Sequence, residues 1–589
     1  MRKKSMNKIL TLTLAFAMTA SLAACGGKDT AETTASASAK ETTAVKGTDA
    51  TEGSTAAVSQ VPSEKNLYGF EDPVTLKIGL GIAADFEYPE GESATDNQWV
   101  TLYKENNINL DIIYQVDASQ EGTKLATAIT SGNYPDIIFT GGADYVNYAR
   151  TGVTADITDL YEEYASDELK AYMESDGGVG LESAKVDGRL YGLPLLGNSY
   201  DSVMIMFIRE DWLSRLGLDV PTTMEELHEV AYAFTHNDPD GNGADDTYGL
   251  ALNGKDVFAY NSGIQAFFEG YGAIPGYWEN VFTFIEKDGN VVWGGALADE
   301  MKAGLTLLKE MYADGSIAKD FGVMDNDRIT EEMTAGKCGI MFAPMWGAMS
   351  PAGQLVQSNT DVHFAAAPIP DGMGEGSSKA YFTNSGSSYY TVSSKCENPE
   401  VLIKLMNLSV SKLCDMENPD FTRFYENSEW KCALTRTLAP LKNYDNYLKD
   451  QEALKTGDTS VLNAEQMGDY EKMKVYLDGM ASGNPDVTDP DFQTGISLYT
   501  VFGDPQGGYA ALEQIMKSGD LNVSAYNTIV TETMAAKFPT LNKLAMETII
   551  KIITGDDIST YDAFLENWAK LGGDEVTAEA QSWYDVNMK

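Results

Sequence analysis

Residues 221–250 read PTTMEELHEVAYAFTHNDPDGNGADDTYGL, and they join a helix signal to a loop rich in aspartate, asparagine and glycine. Pro221 stands just ahead of a capping box that runs from Thr223 to Glu226. Apolar residues then recur at i, i+3, i+4 and i+7, the spacing of one buried helix face: Leu227, Val230, Ala231 and Phe234. His228 lies off this face and is expected to be solvated. The pattern predicts an amphipathic helix that leads directly into the loop.

The loop at residues 238–249 matches the opening of an EF-hand calcium loop. Its oxygen donors stand at the first, third, fifth, seventh and ninth positions: Asp238, Asp240, Asn242, the backbone carbonyl of Ala244, and Asp246. Gly243 takes the sixth position, where a glycine is required, but Gly249 stands at the twelfth, which is normally a bidentate glutamate. The sequence shows no second hand, which argues against a calcium sensor. We expect a structural Ca²⁺ site, with a plain Asp/Asn/Gly turn as the alternative.

On both sides of this stretch, short apolar runs alternate with helical patterns, which is typical of an α/β fold. Strands are predicted at residues 74–81, 110–115 and 135–142, and in SVMIMFIRED (202–211), CGIMFAPM (338–345) and HFAAAPIP (363–370). A helix closed by Gly132 is predicted between the second and third of these strands, and another begins at Asn398–Pro399. From about Asp415 onward the pattern is mostly helical. The tryptophans at 212, 568 and 583 stand in helical patterns and are expected in the core.

Length and charge restrict the function further. With 589 residues the chain is too long for one compact core, so two or more lobes are expected. Its 88 acidic residues outnumber 42 basic ones, which gives a formal net charge of -46. Such a surface repels nucleic acid and anionic lipid, and no basic patch offsets it. We therefore expect no nucleic-acid partner.

The N-terminus has the features of an export signal. A positively charged start, MRKKSMNK, is followed by the apolar run ILTLTLAFAMTASLAA at residues 9–24. The run ends in LAAC, which looks like a bacterial lipobox in which Cys25 is lipidated; an ordinary signal peptide followed by a chance cysteine is the alternative. Residues 26–66 are rich in Thr, Ala and Ser and cannot bury enough apolar surface to fold. They predict a disordered tether that leads from a lipid anchor.

Catalytic and redox motifs are poorly represented. The three histidines, His228, His236 and His363, have no zinc-binding spacing, and no Gly-x-Ser-x-Gly, P-loop or dinucleotide-binding fingerprint is present. Carboxylates are too numerous for a glycosidase pair to be excluded by counting. No cysteine pair has Cys-x-x-Cys spacing, so isolated thiols are expected; Cys414 and Cys432 are the nearest pair for a disulfide. An enzyme is not favoured.

Four segments together carry a resemblance to a known family: SGNYPDII (131–138), YGLP (191–194), REDWLSRLGL (209–218) and DPDGNG (238–243). The chain resembles the extracellular solute-binding lipoproteins of bacterial ABC sugar importers, of the large family 1 type found in Gram-positive bacteria. The likeness is strongest from about 130 to 250 and weak after about 410. It implies a monomer anchored at the extracellular face of the cell membrane, an ABC permease partner, an oligosaccharide ligand and a calcium ion at the loop.

The resemblance also implies an α/β, periplasmic-binding-protein-like fold of two lobes joined by several hinge crossings, with a largely helical C-terminal extension. Lobe 1 would comprise residues 67–195 and 378–412, and lobe 2 residues 196–377 and 413–589. Ligand would lie between the lobes, where domain interfaces commonly place small-molecule sites.

Sugars present flat C–H faces to aromatic rings and hydroxyls to polar side chains. Trp346 is the first candidate, because it follows an apolar run and resembles a stacking tryptophan of maltose-type binders. The other candidates are Trp99, Tyr200, Asn198, Asp201, Asp144, Tyr145, Asn384, Tyr389, Tyr390 and Trp278. Core packing is the alternative for each aromatic residue. A polysaccharide-degrading enzyme, a binder of peptides or another non-sugar solute, and an adhesion protein remain alternative functions.

Overall fold

The structure is a computed structural model. It describes residues 66–82, 86, 88, 91–196, 199–278, 280–383, 388–414, 423–424, 430–439, 441–527 and 530–588. Cys25, the export signal and the tether up to residue 65 lie outside the described residues, as do Asn198 and Asn384.

Helices occur along the whole described chain. The N-terminal half contains α1 Gln98–Glu105, α2 Glu121–Ser131, α3 Gly142–Arg150, α4 Thr158–Tyr164, α5 Asp167–Met173, α6 Val179–Ser183, α7 Glu210–Leu216, α8 Met224–His236 and α9 Gln265–Glu269. The remainder contains α10 Ala298–Asp314, α11 Asn326–Thr334, α12 Ala352–Ser358, α13 Val401–Leu413, α14 Lys442–Thr456, α15 Ala464–Ser482, α16 Pro490–Leu498, α17 Gly508–Ser518, α18 Glu532–Thr554, α19 Thr560–Trp568 and α20 Asp574–Asn587. The mostly helical C-terminal segment predicted from the sequence is confirmed.

Strands are short and fall into several small sheets. They are β1 Val74–Ile82, β2 Ile108–Asp117, β3 Ile137–Gly141, β4 Lys185–Val186, β5 Arg189–Leu190, β6 Gly192–Pro194, β7 Ile205–Arg209, β8 Tyr248–Leu250, β9 Phe284–Lys287, β10 Asn290–Trp293, β11 Cys338–Ala343, β12 Phe364–Ala367, β13 Ala380–Phe382, β14 Ser388–Val392 and β15 Leu521–Val523. The six strands predicted from apolar runs correspond to β1, β2, β3, β7, β11 and β12, so these predictions are confirmed.

Pairing joins distant parts of the chain. β1 and β2 are parallel, and β14 lies between β3 and β6, antiparallel to both. A four-stranded sheet has the order β12-β7-β11-β8, and β13 pairs in parallel with β15 from the C-terminal segment. The return of β14 to β3 supports the predicted return of the chain to its N-terminal part.

Helix α8 forms as its sequence predicts. The Thr223 side chain accepts a hydrogen bond from the Glu226 backbone N–H, and the Glu226 side chain accepts one from the Thr223 backbone N–H, which completes the capping box. The predicted apolar face is buried. His228 is not freely solvated, however: its Nε2 lies 2.6 Å from a carboxylate oxygen of Asp314, which belongs to α10. This polar pair between two helices could not be read from the periodicity of α8 alone.

Buried apolar residues form two large cores, each built from two stretches of chain. The first core contains residues from Leu76 to Leu196 and from Tyr389 to Ala433. The second core contains residues from Val203 to Phe382 and from Tyr447 to Ala580. The chain therefore passes between the cores near 196–203, 382–389 and 433–447. The exact lobe boundaries stay a prediction.

One ionic contact joins two distant parts of the chain. Arg150 of α3, in the first part of the chain, donates a hydrogen bond of 2.8 Å to Glu532 at the start of α18. Cys338, Cys396 and Cys414 are free thiols, as expected from their spacing. Among the described residues, we find no helix whose length and apolar character would let it cross a bilayer.

Candidate functional site

Three aromatic side chains form a partly exposed group, which we call the aromatic platform: Tyr260, Trp278 and Trp346, of which Trp346 packs against the second core. The ring centroids of Trp278 and Trp346 lie 5.9 Å apart at an interplanar angle of 36°. Tyr260 lies 6.1 Å from Trp278. Tyr260 and Trp278 are 36% and 42% exposed, and Trp346 is half-buried. Tyr260 was not among the sequence candidates. The platform presents aromatic faces that are wide enough to pack against a flat ligand.

Trp278 is held in an unusual backbone conformation. It lies in a short turn in which Tyr277 and Asn280 exchange backbone hydrogen bonds of 2.8 and 3.0 Å. Its φ is +48°, in the left-handed region that bulky side chains rarely adopt. The turn is fixed from beneath, because the Tyr277 hydroxyl donates a 2.6 Å hydrogen bond to the backbone carbonyl of Ser202. Strained conformations of this kind often occur where a side chain meets a ligand.

Trp346 reaches the platform for a simpler reason. It follows β11, whose residues are all buried, and begins to leave the core in the single helical turn Met345–Ala348. Met345 and Ala348 anchor this turn in the second core, while the indole ring of Trp346 packs against the edge of that core. This arrangement matches the expectation of an aromatic side chain at the end of an apolar strand.

Tyr200 lies beside the platform, in the turn Ser199–Ser202. Its ring packs against Phe382 of β13, with 4.6 Å between centroids. Tyr277 also contacts β13, because its ring lies 5.0 Å from that of Tyr381. Tyr200 and Tyr277, the neighbour of Trp278, therefore both pack against β13.

Asp201 was predicted to contact the ligand, but its side chain is buried. It is 8% exposed, and its carboxyl group accepts hydrogen bonds from the Tyr509 hydroxyl and, at 2.7 Å, from the Asn443 side-chain amide. Burial is the main cause that raises the pKa of Asp201 to about 6. These contacts tie the turn of Tyr200 to α14 and α17. Asp201 is thus a residue that positions the turn, instead of a direct polar partner for a ligand.

Other candidates belong to the first core. Tyr145 and Tyr389 are 0% and 1% exposed and stack on each other, with 4.1 Å between ring centroids. Trp99 is also fully buried and packs edge-on against Phe424 at 5.0 Å. A ring enclosed on all sides presents no face to a ligand, so in this conformation these three are core residues. The sequence contained a signal for Trp99, because Trp99, Leu102 and Tyr103 share the helical spacing of a buried face.

Tyr390 packs against Phe139, an exposed residue that was not among the sequence candidates. Its ring packs against Phe139 of β3 at 4.8 Å, and its hydroxyl accepts a 2.8 Å hydrogen bond from the Arg436 backbone N–H. Tyr390 is 4% exposed, whereas Phe139 is 46% exposed. Asp144, in the first turn of α3, is exposed. Phe139 shares a strand face with the buried Ile137, so the alternation along β3 gave no signal for its exposure.

The calcium-like loop is closed by its own hydrogen bonds. The Asn242 side-chain nitrogen donates to Asp240 at 2.7 Å and to Asp246 at 3.1 Å, and the Gly243 backbone N–H donates to Asp238 at 3.1 Å. Among the described residues, no group of three His, Cys, Asp or Glu side chains is placed to hold a metal ion. The donor chemistry fits Ca²⁺, which prefers oxygen ligands, but the arrangement is that of a hydrogen-bonded turn.

Close packing explains why the twelfth position of the loop is a glycine. A Cβ at Gly249 would lie 2.5 Å from the Cα, Cβ and carbonyl oxygen of Ala231 on α8. Strand β8 therefore approaches α8 too closely for any side chain at this position. A bidentate glutamate, as in an EF-hand, cannot be accommodated here without moving the helix.

Known proteins share this architecture and parts of this sequence. The family described as bacterial extracellular solute-binding protein matches residues 89–412. Lipoprotein LipO of Bacillus subtilis is 24% identical over 521 residues, which span 86% of this chain and 92% of LipO. The polygalacturonan/rhamnogalacturonan-binding protein YtcQ of the same organism is 30% identical over 258 residues, or 42% of this chain and 47% of YtcQ.

A solved structure shows the same fold. The Streptococcus pneumoniae ABC-transporter substrate binding protein FusA, as an EF-hand mutant in complex with fructo-nystose, superposes with a TM-score of 0.56 at 18% sequence identity. The match covers 87% of this chain and 99% of the FusA chain.

Proposed function

Because the chain belongs to the family of bacterial extracellular solute-binding proteins, we propose that it captures an uncharged oligosaccharide and delivers it to an ABC permease. The observation that carries this proposal is the aromatic platform, in which Trp278 and Trp346 lie 5.9 Å apart at the surface of the second core. Aromatic faces pack well against the flat C–H faces of sugar rings, while the hydroxyl edges remain free for polar partners.

Charge favours a neutral glycan over an acidic one. The chain carries a formal net charge of -46, and the resulting potential lowers the local concentration of anionic ligands. A polygalacturonan, the ligand in the name of YtcQ, would meet this repulsion. A neutral oligosaccharide is bound without it.

Capture would occur by closure of two lobes, with residues 67–195 and 378–412 in one and residues 196–377 and 413–589 in the other. Two separate hydrophobic cores and several chain passages between them support this division. The exposed Phe139 is the counterpart that we propose on the first lobe. The ligand shifts the equilibrium toward the closed form because it contacts both lobes only there.

Delivery requires the protein to stay near its transporter. We propose that Cys25 carries a lipid that anchors a monomer to the extracellular face of the cell membrane, as the relative named LipO is a lipoprotein. The tether then raises the effective concentration of the binding protein at the permease. Membrane fractionation tests this: Cys25→Ser should release the protein into the medium, and its retention at the membrane would contradict lipidation at this residue.

We also propose that the loop at residues 238–246 binds Ca²⁺ through Asp238, Asp240, Asn242, Asp246 and the Ala244 carbonyl. The support is the donor chemistry of the loop, together with the likeness to FusA, whose EF-hand was mutated in the matching structure. The ion would stiffen the connection between α8 and β8.

The test is calorimetric titration with neutral gluco-, fructo- and manno-oligosaccharides, galacturonate oligomers and peptides, together with chromatography for reaction products. Saturable binding of one neutral glycan without product is the expected result. Release of shortened products would favour a polysaccharide-degrading enzyme. Binding of peptides alone would replace the sugar by a peptide ligand, and a folded protein that binds nothing in the panel would favour an adhesion role.

A further inference from the structure

The edge of the first core at which β3 ends is also the edge from which the chain passes to the second core. Ser388, the first residue of β14, pairs with Gly141, the last residue of β3. The backbone N–H of Leu195, just after β6, donates a 3.0 Å hydrogen bond to the Ser388 carbonyl. Two of the three passages between the cores therefore begin beside the end of β3. A ligand held between the cores would lie near this edge.

Phe139 stands two residues before this end of β3. In the register of the sheet it lies directly opposite Tyr390, and the two rings pack with 4.8 Å between centroids. Tyr390 is buried, whereas Phe139 is 46% exposed. One part of the Phe139 ring is thus supported by the core, and the rest is open to a flat apolar partner such as the C–H face of a sugar ring.

Arg436 lies beside this pair of rings, at the start of the third passage. Its backbone N–H donates a 2.8 Å hydrogen bond to the Tyr390 hydroxyl. The flanking residues Thr435 and Thr437 are fully buried, and the hydroxyls of Thr435 and of Ser409 on α13 lie 2.8 Å apart. Arg436 itself is exposed. The backbone is therefore fixed while the side chain faces solvent, so the guanidinium is carried beside the two rings on a rigid support.

The Arg436 guanidinium has donors available for a ligand. It carries N–H groups in a planar fork, and within the described part of the chain it forms no ion pair. Burial raises the pKa of Glu121, the first residue of α2, and the positive charge of Arg436 opposes this rise, so the two side chains are close enough to interact. The Glu121 carboxylate lies directly on β1, since a Cβ at Gly81 would be 2.1 Å from its Oε2 atom. Donors and acceptors therefore occur together here.

This combination of groups fits a hydroxylated ligand better than a charged one. Neighbouring hydroxyls of a sugar ring can accept two N–H bonds from one guanidinium, and they can also donate to a carboxylate. An acidic sugar could pair with Arg436, but it would be repelled by Glu121 and by a chain with a formal net charge of -46. The observations therefore favour a neutral glycan at Arg436.

We propose that Arg436 and Phe139 form the ligand-binding face of the first lobe, with the guanidinium donating to neighbouring hydroxyls of a sugar unit whose C–H face packs on Phe139. The inference rests on the proposed capture of a neutral oligosaccharide and assigns the polar contact that the first lobe contributes. The aromatic platform supplies stacking on the other lobe, so Arg436 is the residue that selects for the arrangement of hydroxyls.

Calorimetric titration of the whole protein tests the inference with these probes: maltotetraose, nystose, mannotetraose and tetragalacturonate. Arg436→Met should weaken binding of the neutral probe that the wild type captures by about tenfold or more, because hydrogen bonds from a charged donor are lost. Arg436→Lys keeps the positive charge without the planar fork of donors, and it should restore little of that affinity. Arg189→Met is the matched control, since this arginine of β5 already pairs with Asp156 at 2.5 Å. It should bind the probe as the wild type does.

The melting temperature of Arg436→Met should equal that of the wild type, because the side chain is exposed, and this separates lost binding from lost folding. Equal affinities of Arg436→Met and the wild type for the neutral probe would overturn the inference and leave capture of a glycan in place. Full recovery in Arg436→Lys would also overturn it, since charge alone would then explain the effect. If the wild type binds tetragalacturonate alone, or none of the probes, the proposed function fails and the inference fails with it.

Discussion

The Tyr509 hydroxyl of α17 donates a hydrogen bond to the carboxyl group of Asp201, which lies next to Tyr200 in a distant part of the sequence. The Asn443 side chain of α14 donates to the same carboxyl group at 2.7 Å. Helices of the C-terminal segment therefore fix the turn that borders the aromatic platform. This relationship assigns a structural task to a segment whose role could not be inferred from its sequence.

Asp201 predicts a specific pH dependence. Its pKa is raised from 3.8 to about 6, so the folded protein retains a proton that the unfolded chain releases at lower pH. The stability that this group contributes is complete below about pH 4 and is lost as the pH rises to about 6. Asp201→Asn cannot ionise. The free energy of unfolding of the wild type, relative to that of the variant, should therefore fall by about 2 kcal/mol between pH 4 and 6.5. Parallel curves from urea unfolding would contradict this expectation.

Asp450 predicts a second titration at higher pH. It is fully buried, its two carboxyl oxygens have no hydrogen-bond partner among the described residues, and its pKa is raised to about 8 by burial and by Asp469 and Glu465, against the opposing effect of Lys442. Asp445 adds to the repulsion, and the pKa of Asp469 is itself raised to about 7. Stability from this group is lost as the pH rises from about 4 to about 8.

Asp450→Asn should therefore be more stable than the wild type at pH 8.5, and the advantage should shrink toward pH 6. The melting temperature measured across this range checks the prediction. Asp486→Asn, at an exposed position of the same segment, should show no such trend. A difference in melting temperature between Asp450→Asn and the wild type that is the same at pH 6 and at pH 8.5 would mean that Asp450 stays neutral at both pH values.

The platform predicts a separation of stability from binding. Trp278→Gly removes a 42% exposed ring and relieves a positive φ, so the melting temperature should change little. Affinity for the captured glycan should fall about tenfold, or about 1.4 kcal/mol. Tyr232→Ala removes a ring of similar exposure, 47%, from α8 and should leave affinity unchanged. Equal affinities of Trp278→Gly and the wild type would remove Trp278 from the site.

Calcium should stabilise the protein if the loop binds it. A ligand present at about 100 times its Kd raises the free energy of unfolding by about 2.7 kcal/mol. Thermal unfolding in Ca²⁺ and in a chelator should differ for the wild type, and Asp240→Asn should abolish the difference. Asp288→Asn, in the turn between β9 and β10, is the control for loss of an exposed carboxylate. A response that persists in Asp240→Asn would place calcium elsewhere.

Close packing at Gly249 predicts a destabilising substitution. Gly249→Ala places a methyl group 2.5 Å from atoms of Ala231, and overpacking of this kind costs about 1–3 kcal/mol. Gly468→Ala is the opposite case, because a Cβ there meets nothing within 4 Å and the residue lies inside α15. That change should stabilise the protein by about 0.5–1 kcal/mol. Chemical unfolding of both variants tests the sign of each effect.

Local patterns predicted much of the fold, because they reflect interactions between neighbours in sequence. The capping box of α8, the end of α2 at Gly132 and the apolar strands follow from short-range physics, and the structure confirms them. The position of Trp346 after β11 was also predicted from a short-range pattern, the apolar run that precedes it.

The candidate site was harder to predict, because exposure of an aromatic ring depends on partners far away in sequence. Tyr389 and Tyr390 stand next to each other on β14, yet both are buried because β14 is the central strand of its sheet. Asp201 is buried by residues more than 200 positions later. Trp212 and Trp568 are core residues as expected, whereas Trp583 is only half-buried.

The contact between Arg150 and Glu532 has a consequence for how firmly α3 and the start of α18 are held together. It joins an α3 residue to the start of α18, and its side chains are 44% and 87% exposed. An ion pair so open to water adds little stability and is weakened further by salt. Separation of the two ends of this contact therefore costs little free energy, and added salt lowers that cost further.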